Sequence, residues 1–281
     1  MIRRPPRSTL SSSSAASDVY KRQPMDGDPR SEVFTTIAWD GDSQLLAADL
    51  HIARLFRHAE RLGFNLPSNL TELIFEALSN AEIPGESVVG ENQAPFLIKL
   101  GVNPNGEVSL IPRVNGKWPN PMRAISLSAP RWDGSVRGTK HGDWQPYFDA
   151  REVAKEHGAD ISLLFDGDIL VDGDRCMPIL LDNDGVAYYP KPSEGALDSV
   201  TLEQIREGIE SDGVPIREAR LTLPMLLRAS EMIVLGSGLG VQALGEIDGR
   251  QIGQPNGRSV SYTHLRAHET VLDLVCRLLL E

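Results

Sequence analysis

The chain of 281 residues carries 39 acidic and 28 basic side chains, which gives a net charge of -11. This acidic balance argues against nucleic-acid phosphates as the main partner, and no run approaches the roughly 18 apolar residues of a membrane span. Two cysteines, Cys176 and Cys276, are too few for a disulfide framework or a cysteine-rich zinc site. We expect a cytoplasmic protein that binds neither nucleic acid nor membrane, and we predict no metal site.

The two ends of the chain differ in character from its middle. Residues 1–23 are basic and serine-rich without the apolar core of a signal peptide. Residues 259–281, like the first segment, resemble translated sequencing-adapter sequence. We therefore expect both segments to be non-native flanks, and the body between them to be more acidic than the whole chain.

The first half of the body alternates β-like and helical patterns. Residues 32–46 read as a hairpin that turns at Asp40-Gly41, and Asp49 can cap a helix that ends at Gly63. A second helix over about 69–81 is followed by strands over 94–102, 107–114 and 122–130. We predict that residues 24–122 form a smaller N-terminal α/β domain whose first strand is missing.

The second half begins with a helix from Asp143 to Gly158. Two strand pairs follow over 161–173 and 177–190, each with a polar turn typical of antiparallel hairpins. Thr201 to Gln204 match a capping box that opens another helix. A strand over 214–221, a short helix and a strand that runs into a glycine-rich loop complete the predicted larger domain, residues 123–258.

One lysine and one carboxylate frame the first helix and strand pair of this half. Lys140 lies just before the helix, and Asp172 ends the strand pair that follows it. A lysine that forms an imine with a carbonyl cofactor needs such a fixed setting, facing an acid that can hold a ring nitrogen. Taken singly, Lys140 is as compatible with a surface lysine, and Asp172 with an ordinary turn aspartate.

Several residues are suited to bind a phosphate. Arg54 offers a guanidinium fork, although an arginine on the polar face of a helix is more often simply solvated. Val200 and Thr201 stand at a predicted helix N-terminus, where backbone N–H groups attract anions. Ser237 lies in the glycine-rich loop, which is a weak signal when taken alone.

The order of these motifs resembles the class IV aminotransferase family. The matching stretches are FTT (34–36), HIARL (51–55), GTK (138–140), LDSVT (197–201), GSGLGV (236–241) and IDGR (247–250). The resemblance implies an α/β, two-domain, fold-type IV pyridoxal-phosphate enzyme, similar to D-amino-acid aminotransferase. It further implies pyridoxal 5′-phosphate in the cleft between the domains, a small amino-acid-like substrate and a homodimer.

The resemblance also assigns roles to residues. Lys140 matches the imine-forming lysine, and Asp172 stands where the family has a glutamate that pairs with the pyridine nitrogen. The phosphate is expected at Arg54, Val200, Thr201 and Ser237, and the substrate, by a looser match, at Thr36, Lys99 and Arg113. Asp143, Trp144 and Met177 depart from the family pattern.

Within the family, Phe34-Thr35-Thr36 and Lys140-His141 are most similar to the 4-amino-4-deoxychorismate lyase branch. We therefore expect Lys140 to remove the Cα proton of the substrate, with elimination of pyruvate and formation of 4-aminobenzoate. A branched-chain or D-amino-acid aminotransferase is the alternative. A degenerate homologue that binds ligand without turnover is a third possibility, because of the departures at Asp143, Asp172 and Met177.

Overall fold

The computed structural model describes residues 27–90 and 93–253, in two β-sheets with helices packed on them. The expected flanks, residues 1–23 and 259–281, lie outside these described residues. No helix in the described part of the chain is long and apolar enough to cross a membrane.

The first sheet has three antiparallel strands: β1 (Val33–Trp39), β2 (Phe96–Val102) and β3 (Val108–Val114), in that spatial order. Helices α1 (Ala48–Leu62) and α2 (Leu70–Ser79) cover one face of it. Because successive strand residues point to opposite faces, alternate positions of each strand enter this core. The core holds Val33, Ile37, Trp39, Leu55, Ala59, Leu62, Leu70, Ile74, Ile98, Leu100 and Val102.

The second sheet has ten strands in the order β10-β6-β5-β4-β12-β11-β7-β8-β9, with β13 paired to β12. Strand β4 runs parallel to β5 and β12, and β8 runs parallel to β9, whereas the other pairs are antiparallel. The strands are β4 (Met122–Ser128), β5 (Ile161–Asp166), β6 (Ile169–Gly173), β7 (Met177–Leu181), β8 (Ala187–Pro190), β9 (Ile216–Ala219), β10 (Leu221–Thr222), β11 (Glu231–Gly236), β12 (Gly240–Ile247) and β13 (Arg250–Gln251).

Three helices accompany the second sheet: α3 (Gln145–Glu156), α4 (Val200–Ser211) and α5 (Leu223–Leu226). Tyr147 and Ala150 of α3 pack with Leu164 of β5, and Leu202 and Ile209 of α4 pack in the core of β7, β9 and β11. The predicted domain boundary, between residues 122 and 123, falls at the first residue of β4. The division into domains itself stays a prediction.

Three local predictions are corrected by the structure. The hairpin over residues 32–46 is reduced to an isolated bridge between Trp39 and Leu45, because β1 pairs along its whole length with β2. Helix α1 begins at Ala48 without a side-chain cap, so Asp49 lies in its first turn. Helix α4 is capped by Ser199, which accepts a hydrogen bond from the Leu202 N–H, and not by Thr201.

Helix α2 provides a direct test of the first core. Leu70 is fully buried, and Leu70→Ala is expected to lower the free energy of unfolding by about 2–5 kcal/mol, since it removes apolar contacts and leaves a cavity. Phe75 of the same helix is 44% exposed, and Phe75→Ala should cost less than about 1 kcal/mol. Urea denaturation of both variants measures the difference, and equal losses would contradict this packing.

Candidate active site

A cleft of about 300 Å³ opens between the two sheets. Thr36, Leu97 and Arg113 of the first sheet contribute to its wall, as do Asp172 and Met177 of the second. Much of the remaining wall comes from helices and loops between the strands, which place charged side chains and backbone N–H groups around one space. Further lining residues are Arg54, Asn115, Trp118, Lys140, Trp144, Arg151, Asp174, Arg175, Leu197, Asp198, Ser199, Val200, Thr201, Ser237 and Gly238.

Lys140 is fixed through its backbone to the first sheet and to α1. Its carbonyl oxygen accepts a hydrogen bond of 3.2 Å from the Phe34 N–H, and its own N–H donates to His58 Nδ1 over 3.1 Å. The adjacent residues Val33 and His141 form a β-bridge. The backbone of Lys140 therefore continues the edge of β1, and its side chain is directed from there into the cleft.

The amine of Lys140 lies among aromatic rings and positive charges. Its Nζ is 4.4 Å from the ring centroid of Trp144 and 5.0 Å from that of Phe34, and no carboxylate of the described residues forms an ion pair with it. Burial, followed by the charges of Arg54 and Arg151, holds the pKa of Lys140 well below its usual value. A lowered pKa favours the neutral amine, which is the form that can act as a nucleophile or take up a proton.

Asp172 faces the same space from β6. Its carboxylate accepts hydrogen bonds from the Gly173 N–H at 2.9 Å and the Leu197 N–H at 3.2 Å. Burial raises the pKa of Asp172 to about 7 in spite of these two bonds and the nearby charge of Lys140. The carboxyl group thus titrates near neutral pH, and a cationic group bound beside it would keep it ionised.

Arg54 is the buried cation at the end of the cleft formed by α1. Its guanidinium donates to the Asp198 carbonyl oxygen at 2.9 Å and to Thr35 Oγ1 at 2.6 Å, while its Nε has no partner. Burial lowers the pKa of Arg54 to about 10, which still leaves it charged at neutral pH. Thr35 faces the core side of the sheet, so Thr36 is the neighbour that reaches the cleft.

His58 is a residue of this site that sequence reasoning missed. It lies one turn after Arg54 on α1, and its Nε2 is 2.9 Å from Asp198 Oδ1. Because its Nδ1 accepts the Lys140 N–H, its proton must reside on Nε2 and be donated to Asp198. The i, i+4 spacing to Arg54 was the one available signal, since both residues then lie on one helix face.

Two turns present further hydrogen-bond donors to the cleft. The backbone N–H groups of Val200 and Thr201, at the start of α4, have no partner among the described residues. Ser237 lies in the turn that joins β11 to β12. This turn lies against the first sheet, because a Cβ on Gly238 would come within 2.7 Å of Leu97. An anion placed between these turns and Arg54 would meet both N–H groups and a positive charge.

The structure brings all but one of the predicted site residues to the cleft wall. Arg54, Lys140, Asp172, Val200, Thr201, Ser237, Thr36 and Arg113 line it. Lys99 does not, since its Nζ contacts Glu32 Oε1 at 2.5 Å and stands 4.9 Å from the Phe34 ring centroid. Arg151, Asp174 and Arg175 line the cleft although sequence reasoning had singled out none of them.

Comparisons with known proteins identify the family of the chain. The family described as amino-transferase class IV matches residues 32–247 of the chain. A protein of Methanocaldococcus jannaschii, provisionally named as a branched-chain-amino-acid aminotransferase, is 26% identical over 232 residues, which cover 76% of this chain and 77% of that protein.

Solved structures resemble the whole architecture. One, provisionally named as a 4-amino-4-deoxychorismate lyase, superposes with a TM-score of 0.64 at 26% identity, and covers 80% of this chain and 86% of that one. A branched-chain aminotransferase of Thermoproteus uzoniensis superposes with a TM-score of 0.69 at 18% identity over 86% of both chains. At that identity the likeness bears on the fold alone, and it confirms the predicted α/β fold of type IV.

The raised pKa of Asp172 leads to a test of stability. The pKa is about 7 in the folded protein against an ordinary value of 3.8, so ionising Asp172 opposes folding, increasingly from pH 4 to pH 7 and fully above. At pH 8, Asp172→Asn is expected to raise the free energy of unfolding of the cofactor-free protein by about 1–3 kcal/mol, a figure that allows for one lost hydrogen bond. Near pH 4 the substitution should not raise the free energy of unfolding.

Denaturation at the two pH values measures this difference. Asp168→Asn, which changes an exposed aspartate in the turn of the same hairpin, is the control and should alter stability by less than about 0.5 kcal/mol at either pH. A gain from Asp172→Asn that is the same at both pH values would contradict the assigned pKa.

Proposed function

This chain belongs to the class IV aminotransferase family, which consists of pyridoxal-phosphate-dependent enzymes, and from that premise we propose that it converts 4-amino-4-deoxychorismate to 4-aminobenzoate and pyruvate. The observation that carries the proposal is the Lys140 amine, which lies in the cleft with a lowered pKa and without an ion-pair partner in the described part of the chain. A surface lysine at a helix start would have neither property.

The residues of the cleft fit pyridoxal 5′-phosphate. Arg54, with an unpartnered buried Nε, and the free N–H groups of Val200 and Thr201 suit the phosphate. Asp172, a buried carboxyl group that contacts no cation within residues 27–90 and 93–253, suits a protonated ring nitrogen. Lys140 supplies the amine that would hold the aldehyde carbon.

The chemistry divides between the cofactor and Lys140. When bound, pyridoxal 5′-phosphate withdraws electrons from the carbon that carries the substrate amine and thereby makes its proton removable. The neutral Lys140 amine would take up this proton as a base. Lys140 then delivers a proton to the methylene carbon of the enolpyruvyl group, the bond between the ring carbon and the ether oxygen breaks, and pyruvate leaves. The remaining ring becomes aromatic, so no second substrate is consumed.

The fold contributes to the proposed reaction by holding Lys140 in place. The Phe34 N–H and His58 hold its backbone from two directions, so the amine returns to the same position after each proton transfer. Trp144 and Phe34 shield the amine from water and keep its pKa low. These contacts support a role in proton transfer for either activity of the family.

An aminotransferase is the second candidate, favoured by the similarity to the M. jannaschii protein. In that case the same Lys140 would shuttle a proton while the amine passes to a keto acid. The structural likeness at 26% identity to a protein named for the lyase supports the first candidate. The homodimer expected from the family belongs to either proposal.

The role of Lys140 can be measured directly. Pyridoxal phosphate added to the purified protein should give a visible absorbance band, and borohydride should attach the cofactor to the peptide that contains Lys140, as detected by mass spectrometry. Lys140→Ala should lose both signals, whereas Lys155→Ala, an exposed lysine of α3, should keep them. Attachment at another lysine, or none in the folded wild type, would rule out the proposed role.

The two activities differ in whether an acceptor is required. The lyase should form 4-aminobenzoate and equimolar pyruvate from 4-amino-4-deoxychorismate alone, with a kcat unaffected by added 2-oxoglutarate. Lys140→Ala should lower kcat by at least about 1000-fold, since it removes the proposed base. Amine transfer from branched-chain amino acids to 2-oxoglutarate, without pyruvate release, would identify the aminotransferase instead. Binding of the cofactor with neither reaction would identify the degenerate homologue.

A further inference from the structure

Three arginines from separate parts of the chain line the same cleft as Lys140. Arg113 lies on β3, Arg151 on α3 and Arg175 in the segment between β6 and β7. Arg151 and Arg175 are half-buried, and Arg113 is exposed at the cleft wall. None of the three takes part in the placement of Lys140 or in the anion site at Arg54.

The positive charges of this group exceed its negative ones. Asp174 pairs with Arg175, with Nη2–Oδ2 and Nε–Oδ1 distances of 3.1 and 3.2 Å. Arg151 donates through Nη2 only to the backbone carbonyl oxygen of Asp174, at 3.0 Å. Within the described residues, neither Arg151 nor Arg113 has a carboxylate in contact. One carboxylate thus stands among three guanidinium groups.

Asp174 holds two of the arginines in place at once. It is fully buried, and its carboxylate orients Arg175 while its carbonyl oxygen orients Arg151. Aromatic rings support both groups, with Phe148 5.0 Å from the Arg151 guanidinium carbon and Trp118 5.3 Å from that of Arg175. The guanidinium groups are therefore oriented before any ligand binds, which lowers the entropic cost of binding.

Burying like charges together opposes folding unless a ligand compensates for it. The pKa of Arg151 is lowered to about 10, chiefly by burial; the charge of Asp174 opposes this change, and the charges of Arg175 and Arg113 add to it. The charges of Arg151 and Arg113 also lower the pKa of Lys140. An anion bound among them would relieve this repulsion while an amine attached to the same molecule reaches Lys140.

We propose that Arg151 and Arg175, together with Arg113, form a subsite for a substrate carboxylate that is remote from the reacting amine. The guanidinium fork matches the two oxygens of a carboxylate, which favours this group over a single negative atom. The inference rests on the proposed function only in taking this cleft as the active site. Such a carboxylate could belong to the lyase substrate or to a dicarboxylic keto acid that accepts an amine.

Binding of an unreactive diacid tests the subsite without turnover. Glutarate and pentanamide have the same number of carbon atoms, but only glutarate carries carboxylate groups. Calorimetry on the protein with pyridoxal phosphate added should show glutarate binding at least about 10-fold more tightly than pentanamide. Equal affinity for the two ligands in the wild type would overturn the proposal.

Single-residue variants test which arginine causes the difference in affinity between the two ligands. Arg151→Gln should weaken glutarate binding by about 10-fold to 100-fold and leave the binding of the neutral pentanamide nearly unchanged. Arg217→Gln, which changes an exposed arginine of β9 outside the cleft, is the control and should bind glutarate like the wild type. Loss of both ligands alike in Arg151→Gln, or of neither, would contradict a dedicated carboxylate subsite.

Arg175 needs a different design, because its removal alone would leave the buried Asp174 carboxylate unpaired. The double variant Asp174→Asn with Arg175→Gln removes both charges of the pair, and Arg175→Lys keeps the charge but not the fork. Both should lose the preference for glutarate while circular dichroism stays like the wild type. A folded double variant that retains the full preference would exclude Arg175 from the subsite.

The combined results of the binding and turnover experiments distinguish a failure of this inference from a failure of the proposed function. A protein that prefers glutarate but neither attaches pyridoxal phosphate nor turns over would keep the subsite and refute the activity. A protein that catalyses the lyase reaction but does not prefer glutarate would support the proposed activity and refute the subsite. In turnover assays, inhibition by glutarate competitive with 4-amino-4-deoxychorismate would assign the subsite to the lyase substrate, and inhibition competitive with 2-oxoglutarate would assign it to a keto acid.

Discussion

The chemistry of the cleft depends on one group, the Lys140 amine, which is buried among aromatic rings and arginines. A lysine in water is charged at neutral pH, and placing that charge near Arg54 and Arg151 without a contacting carboxylate would oppose folding. The group is instead favoured in its neutral form. Loss of the proton removes the repulsion and at the same time makes the amine reactive, so the burial that limits stability also creates the chemistry.

The contacts that position Lys140 also position the anion site. Asp198 accepts from Arg54 through its carbonyl oxygen and from His58 through its carboxylate, and His58 in turn accepts the Lys140 N–H. Burial of His58 lowers its pKa, although its bond to Asp198 acts in the opposite direction. A neutral His58 thus links α1, the segment before α4 and the lysine, so that the positions of the phosphate-type site and the base are set together.

Two of the expected departures from the family pattern, Asp172 and Met177, contribute to the cleft wall from neighbouring strands. Asp172, one methylene shorter than glutamate, is held by the N–H groups of Gly173 and Leu197, and Met177 joins the cleft wall from β7. Between them lie Asp174 and Arg175, whose ion pair builds the proposed carboxylate subsite. In the proposed function, the same short segment would therefore meet both the ring nitrogen and a carboxylate of the substrate.

The sequence by itself determined the features that depend on residues near one another in the chain. Helical spacing identified α1 to α4, polar turns identified the strand pairs β5-β6 and β7-β8, and motif order identified Arg54, Lys140 and Asp172 as candidates. Only the tertiary structure decided that β1 pairs with β2 across an intervening helical pair and that Lys99 pairs with Glu32. It also decided that Arg151 and Arg175 face the cleft and that His58 holds the backbone of Lys140. The physical reason is that periodicity and capping report interactions within a few residues, whereas strand pairing and side-chain contacts between distant segments depend on which surfaces can be buried together.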